Sequence, residues 1–268
     1  MEELKIKTVV RDAYTGVVKN GTGCCGGTVS SRAHARSCGY SDAELAVIPE
    51  EANLGVSCGN PTALASLKEG EVVLDLGSGA GFDCFLASSR VGGTGKVIGV
   101  DMTPAMLEKA RENARKGNFG NVEFRLGEIE HLPVADNSVD VIISNCVINL
   151  SSDKQKVFNE IYRVLKPGGR VSISDIALIA DLPPALKQSE EAYAGCIAGA
   201  VMIEEYKRFV EESGLGDIRV TIRGPSRCDG GNAGDPIAQG VRKALKPGES
   251  LNDYAVSLSV EARKAGDI

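Results

Sequence analysis

Residues 71–81, EVVLDLGSGAG, constrain the fold more than any other stretch of the chain. An apolar run runs straight into a turn with three glycines in five residues, Gly77, Gly79 and Gly81. Such a run reads as a strand buried on both faces, and glycines at its end let another group approach the backbone where a helix begins. The helix follows as FDCFLASSRVG, and GKVIGVDM is a second strand. TPAMLEKARENARKG then supplies an N-cap in Thr103, a first helical position in Pro104 and a stop in Gly117. NVEFRL and VDVIISN read as a third and a fourth strand. SSDKQKVFNEIYRVLKPGG places Val157, Phe158, Ile161, Val164 and Leu165 on one helical face and stops at Pro-Gly-Gly, and RVSISDI is a fifth strand. Strands alternating with helices predict an α/β domain whose parallel sheet is covered on both sides. Ligands of such sheets gather at the carboxyl ends of the strands.

This pattern occupies residues 61–180. Residues 1–60 mix helix-like pieces with Gly/Ser/Cys loops. Residues 181–268 hold a helix, IEEYKRFVEESG, a strand, DIRVTI, and a glycine-rich loop, PSRCDGGNAGDP, followed by segments read as helical. The net charge of −6 and the lack of a long Lys/Arg run argue against a nucleic-acid partner. No apolar run approaches the roughly 20 residues that span a bilayer, and MEELKIKTVV lacks the features of a signal peptide. The expectation is a cytoplasmic protein with no membrane contact. Eight cysteines are then notable, because thiols in a reducing compartment serve metal binding, redox work or packing rather than a disulfide framework.

The glycine turn departs from the dinucleotide fingerprint, which would need glycine where Phe82 stands. Asp75, two residues before Gly77, would repel a pyrophosphate and attract a cationic amino or sulfonium group. The second strand ends in Asp101, where an acid can bind both hydroxyls of a ribose, with Met102 beside it. GEIEHLP offers Glu128 and Ile129 to the edge and face of an adenine, and SNCVINL brings Asn145 and Cys146 to the same rim.

These four segments, in this order, resemble the S-adenosylmethionine-dependent methyltransferases of the Rossmann-like class. The resemblance implies a mainly parallel seven-stranded sheet, with an N-terminal cysteine-containing segment and a small C-terminal extension. It implies S-adenosyl-L-methionine as cofactor, with Gly77, Ser78 and Gly79 against the methionine part and Asp101 on the ribose. Glu128 and Ile129 would border the adenine, Asn145 would face the methyl donor, and Asp75 would support the loop or the amino group.

Within that class GVDMTPAMLEKAREN is similar to quinone-type C-methyltransferases. The segments NLGVSCGNPTALASLKEGEVVLDLGSGAGFD, SNCVINLSSDKQKVF and YAGCIAGA resemble the arsenite methyltransferases. That resemblance implies an arsenic-binding region in residues 181–268. Trivalent arsenic is soft and takes thiolate ligands, and its lone pair can attack a sulfonium methyl without a general base. The implied ligands are Cys58, Cys196 and Cys228, with Cys24 or Cys25 pairing with Cys58 in a redox step. The implied partners are arsenite or its thiol conjugates and a thiol reductant such as one of thioredoxin type. Cys84 reads as packed, and Cys146 as packed or as a pocket wall. Two other readings stand beside this one: methylation of an organic small molecule, indifferent to Cys58 and Cys196, and a metalloid or zinc sensor. For the sensor, Cys24, Cys25, His34 and Cys38 are the candidate zinc ligands.

Overall fold

The computed structural model describes residues 3–20, 31–225, 243–246 and 248–266. Seven strands form one sheet in the order β3-β2-β1-β4-β5-β7-β6. They are β1 (Val72–Leu76), β2 (Lys96–Asp101), β3 (Val122–Leu126), β4 (Val139–Asn145), β5 (Leu165–Leu178), β6 (Gly216–Pro225) and β7 (Ala255–Arg263). β1 to β5 pair in parallel, while β7 runs antiparallel to both β5 and β6. The mainly parallel seven-stranded sheet implied by the resemblance is therefore present. β6 and β7 also join residues 181–268 to the same sheet as residues 61–180.

The alternation of side chains along the central strands builds two cores. Leu74, Leu76 and Ile142 face one layer, where they meet Val157, Phe158 and Ile161 of α7 (Lys154–Val164) and Tyr206 of α10 (Ile203–Glu212). Val73, Val141 and Ile143 face the other, against α5 (Phe82–Val91) and α6 (Pro104–Lys116). The four fully buried apolar residues of α7 contribute roughly 1.5–3 kcal/mol each by leaving water. Asp153 caps α7 by accepting from Lys156 N.

Two expectations change. Leu165 is not on the helical face of α7 but is the first residue of β5, paired with Val139. Pro167 disfavours the helical conformation in the residue before it, so the chain turns extended and β5 runs through Pro-Gly-Gly. Residues 255–263 were expected to be helical and form a strand instead. Val256, Leu258, Val260 and Ala262 alternate with Ser257, Ser259 and Glu261, a period of two that suits a strand buried between β5 and β6. Thr103, Pro104 and Gly117 bound α6 as expected.

At the N-terminus α1 (Glu3–Asn20) lies against α6 and against α9 (Glu190–Ala194). α2 (Ser31–Ser37), α3 (Asp42–Ala46) and α4 (Pro61–Ala65) cover the α5 side, where Tyr40 packs edge-on to Phe82 at 4.8 Å. Among the described residues no helix is long and apolar enough to cross a membrane.

Candidate active site

The strand ends and the glycine turn open onto one cleft, with about 1000 Å³ of non-atom space when its mouth is included. Gly77 turns the chain there with φ +65°, and a Cβ on it would come within 2.2 Å of Val147. Asp75, Gly77, Ser78, Gly79, Asp101, Met102, Ile129 and Asn145 all line the cleft. Asp101 accepts hydrogen bonds from Gly79 N (2.9 Å) and Thr103 N (2.8 Å), so it ties the glycine turn to the start of α6. Asp75 accepts from the Cys84 thiol at 3.2 Å, which gives that fully buried cysteine a polar partner as well as a packing role. Burial, with the nearby charge of Asp83, pushes the Asp75 carboxyl well above the usual range.

Glu128 does not line the cleft. It turns outward to Lys7 of α1, with Lys7 Nζ at 2.8 Å from Oε2. Glu130 lines the cleft in its place, only 5% exposed, and accepts from Ser151 Oγ at 2.5 Å. Both acids flank Ile129 in the sequence. What separates them is the bridge between Glu128 and His131, which follows the close of β3. Lys7, Val10 and Tyr14 of α1 also line the cleft, a contribution the sequence reading did not assign to this helix.

The cleft suits a cationic, ribose-bearing cofactor. Its lining carboxylic acids are Asp75, Asp83, Asp101 and Glu130, against one base, Lys7. Ser78 Oγ is buried there with no hydrogen-bond partner among the described residues. An orphaned buried hydroxyl costs about 1–3 kcal/mol, which a bound polar ligand would relieve.

Beside the cleft three cysteines come together. Cys58 lies in the loop before α4, and Asn145 holds that loop: its Oδ1 accepts from Cys58 N at 2.9 Å. Asn145 Nδ2 lies 2.9 Å from Gly59 O, 3.0 Å from Asp83 Oδ2 and 2.9 Å from Tyr40 Oη, while Tyr40 Oη donates to Asp83 Oδ1 at 2.7 Å. Burial pushes the Asp83 carboxyl up to about 6. Cys146 follows Asn145 at the end of β4 and forms a disulfide with Cys58, Cα to Cα 5.8 Å. Cys196 follows α9 and its thiol donates to Cys146 O at 2.9 Å. Cys146 and Cys196 both hold left-handed backbone, with φ 55° and 64°. For non-glycine residues such geometry costs on the order of 1–3 kcal/mol and collects at functional sites.

The partner of Cys58 here is therefore Cys146, read from sequence as packing or pocket wall, where Cys24 or Cys25 was expected. Cys24, Cys25 and Cys228 lie outside the described residues. The feature that would have found Cys146 is its place beside Asn145 at a strand's carboxyl end. Cys38 is buried and near His34 (Sγ to Nε2 3.6 Å) and Ser57 O (3.2 Å). Among the described residues no group of three or more His, Cys, Asp or Glu side chains is arranged to hold a metal ion.

The Cys196 loop rests on the turn at Ile148–Leu150. A Cβ at Gly199 would lie 2.1 Å from Asn149 O and 3.1 Å from the Tyr193 ring. Gly199→Ala is expected to displace the loop and to cost on the order of 1–3 kcal/mol of stability, because the backbone oxygen and the ring leave no room for the added methyl. Urea unfolding of the variant beside the parent measures this. An unchanged stability would show that the loop does not depend on this contact.

Asp175, deep under the same loop, accepts from Ile176 N (2.9 Å), Asn149 Nδ2 (2.9 Å) and Tyr206 Oη (3.2 Å). Burial outweighs these partners and pushes its carboxyl up to about 6. The folded state thus holds this proton more tightly than the unfolded chain. The resulting stabilisation is present below about pH 4 and is lost as pH rises through about 6. Asp175→Asn removes this dependence. Its stability relative to the parent is expected to rise by on the order of 3 kcal/mol between about pH 4 and pH 7, read from urea unfolding at both. A constant difference would contradict the assignment.

The family described as methyltransferase domain matches residues 67–214. The arsenite methyltransferase of Halobacterium salinarum is 44% identical, over 96% of this chain and 66% of that protein. That of Aquipseudomonas alcaligenes is 42% identical, over 65% of this chain and 52% of that protein. The chain thus spans between about half and two thirds of these relatives. Among solved structures, an arsenic (III) S-adenosylmethionine methyltransferase from Chlamydomonas reinhardtii is 30% identical with a TM-score of 0.57. That match covers 87% of this chain and 73% of that one.

Proposed function

Because the chain belongs to the methyltransferase-domain family, we propose that it methylates trivalent arsenic with S-adenosylmethionine as the methyl donor. The observation that carries this reading is the meeting of Cys58, Cys146 and Cys196 at the rim of the glycine-turn cleft, with Cys146 lining that cleft. In this reading Cys146 replaces Cys228 as the third ligand. The similarity to arsenite methyltransferases supports the same substrate.

S-adenosylmethionine supplies an electrophilic methyl group on a sulfonium. Asp101 would hold the ribose, Met102 and Ile129 the adenine faces, and Glu130 the adenine edge in place of Glu128. Gly77 to Gly79 would run along the methionine part, with Asp75 towards its amino group. The three reduced thiols would take arsenite with loss of its hydroxyls as water. The arsenic lone pair then forms a bond to the methyl carbon as the carbon–sulfonium bond breaks. No proton leaves the attacking atom, so no general base is needed, and the protein contributes position, soft ligands and exclusion of water. Transfer leaves arsenic formally pentavalent. Departure of two thiolates as a disulfide returns two electrons to it, and the Cys58–Cys146 disulfide has that form. A thiol reductant would then restore the pair, a cycle suited to the reducing cytoplasm.

The test is to incubate the purified protein with S-adenosylmethionine, arsenite and a thiol reductant, and to look for methylated arsenic by mass spectrometry. Methylated product that requires all three components is expected. Donor binding without product would overturn the arsenic assignment and favour an organic acceptor.

A further inference from the structure

Among the described residues one lysine or arginine is buried, Lys154, 8% exposed. It is the first residue of α7, where the helix dipole disfavours a cation. A buried ammonium in such a place needs compensation from nearby acids. Its Nζ donates to Ser151 O at 3.0 Å, and Ser151 Oγ in turn donates to Glu130 at the cleft wall. The groups whose charge it feels are Asp175, Cys196, Glu205 and Glu130. Glu205 is partly exposed and pairs with Arg208 at 3.3 Å, which leaves Asp175 and Glu130 as the buried acids. The Cys196 loop sits on the same turn, through Gly199 against Asn149 O. Burial is the main influence pulling the Lys154 ammonium down, and Asp175 is the largest opposing it.

We propose that Lys154 is a positioning residue of the arsenic site, a step that rests on the function proposed above. Its ammonium offsets the buried carboxylates of Asp175 and Glu130, and its bond to Ser151 O fixes the turn under the Cys196 loop. Sulfur bound to arsenic keeps electron density that two uncompensated buried acids would repel, and at short range in a poorly solvated interior this repulsion is strong. Lys154 therefore sets the affinity for trivalent arsenic, and reaches the donor side only through Ser151 and Glu130.

The experiment titrates the full chain, reduced with a phosphine so that no added thiol competes, with arsenite and separately with S-adenosylmethionine by calorimetry. Lys154→Met is expected to weaken arsenite binding about 10-fold or more, that is about 1.4 kcal/mol. In the same variant donor affinity falls less than about 3-fold, the share that passes through Ser151 to Glu130. Adding Asp175→Asn to Lys154→Met removes one of the repelling charges and is expected to recover most of the loss. A merely structural role through Ser151 predicts no such recovery. Arsenite binding unchanged in Lys154→Met, equal weakness in the double variant, or a parallel fall in donor affinity each overturns the proposal. If Lys154→Met does not fold, Asp175→Asn alone decides: arsenite affinity at least equal to the parent is expected, and a loss of about 10-fold overturns it. A parent protein that binds no arsenite would instead sink the proposed function, and this proposal with it. A parent that binds while Lys154→Met binds equally well sinks this proposal alone.

Discussion

Cys146→Ser is expected to lower the proposed arsenite methylation more than about 100-fold, because loss of a proposed direct ligand should exceed the 10–100-fold effect of losing a group behind one. Cys58→Ser and Cys196→Ser should behave alike. A hydroxyl is a poor ligand for soft trivalent arsenic, and two sulfurs leave the ion without the pyramid that aims its lone pair. None of the three cysteines holds Asp101 or the glycine turn in place, so S-adenosylmethionine affinity should stay within about 3-fold of the parent. Product by mass spectrometry and donor binding by calorimetry, run on the same samples, separate the two effects. Full activity in Cys146→Ser would return this residue to the pocket wall and reopen the identity of the third ligand.

Asn145→Ala is the second large effect expected. Asn145 joins three parts of the molecule: the Cys58–Gly59 loop, the N-terminal segment through Tyr40, and α5 through Asp83. Truncation strips the hydrogen-bond partner from Cys58 N and Gly59 O and one from Asp83. Unsatisfied groups of this kind give a stability loss of roughly 3 kcal/mol in all. The Cys58 loop is no longer fixed relative to the methyl donor, and a displacement near 1 Å costs about 100-fold in rate. Both kcat and donor affinity should fall, because Asp83 and the cleft wall shift with the loop. Cys58→Ser should leave donor affinity untouched, so the two variants differ in a readout other than activity. Donor affinity unchanged in Asn145→Ala would show that the loop and the cleft are independent.

The sheet was legible because each central strand carries its own signal. Residues such as Val73, Leu74 and Leu76 make an apolar run that only a doubly covered strand accommodates, and Thr103, Pro104 and Gly117 mark a helix by local chemistry alone. β7 was as plainly written, in the alternation of Val256, Leu258, Val260 and Ala262 with serines and Glu261, yet an expected helical tail obscured it. Pro167 was read as a stop, whereas its effect is to begin a strand. That Asp75, the glycine turn and Asp101 line one cleft was legible for the same reason: they lie at ends of strands whose positions follow from local sequence.

The thiols were a different problem. Cys58, Cys146 and Cys196 come from a loop, a strand end and the turn after a short helix, 88 residues apart for the first two. No periodicity relates them, and the resemblance implied Cys58 and Cys196 as ligands while Cys146 read as packed or as pocket wall. The same holds for Glu130 over Glu128, which one turn after β3 decides, and for Lys154, whose place at a helix start suggests an exposed cation until the fold buries it. By itself the sequence determined the α/β sheet and the glycine-turn cleft with Asp75 and Asp101, because short-range patterns dictate them. Only the tertiary structure decided which sulfurs meet and which charges face them, because those contacts depend on how separate segments pack.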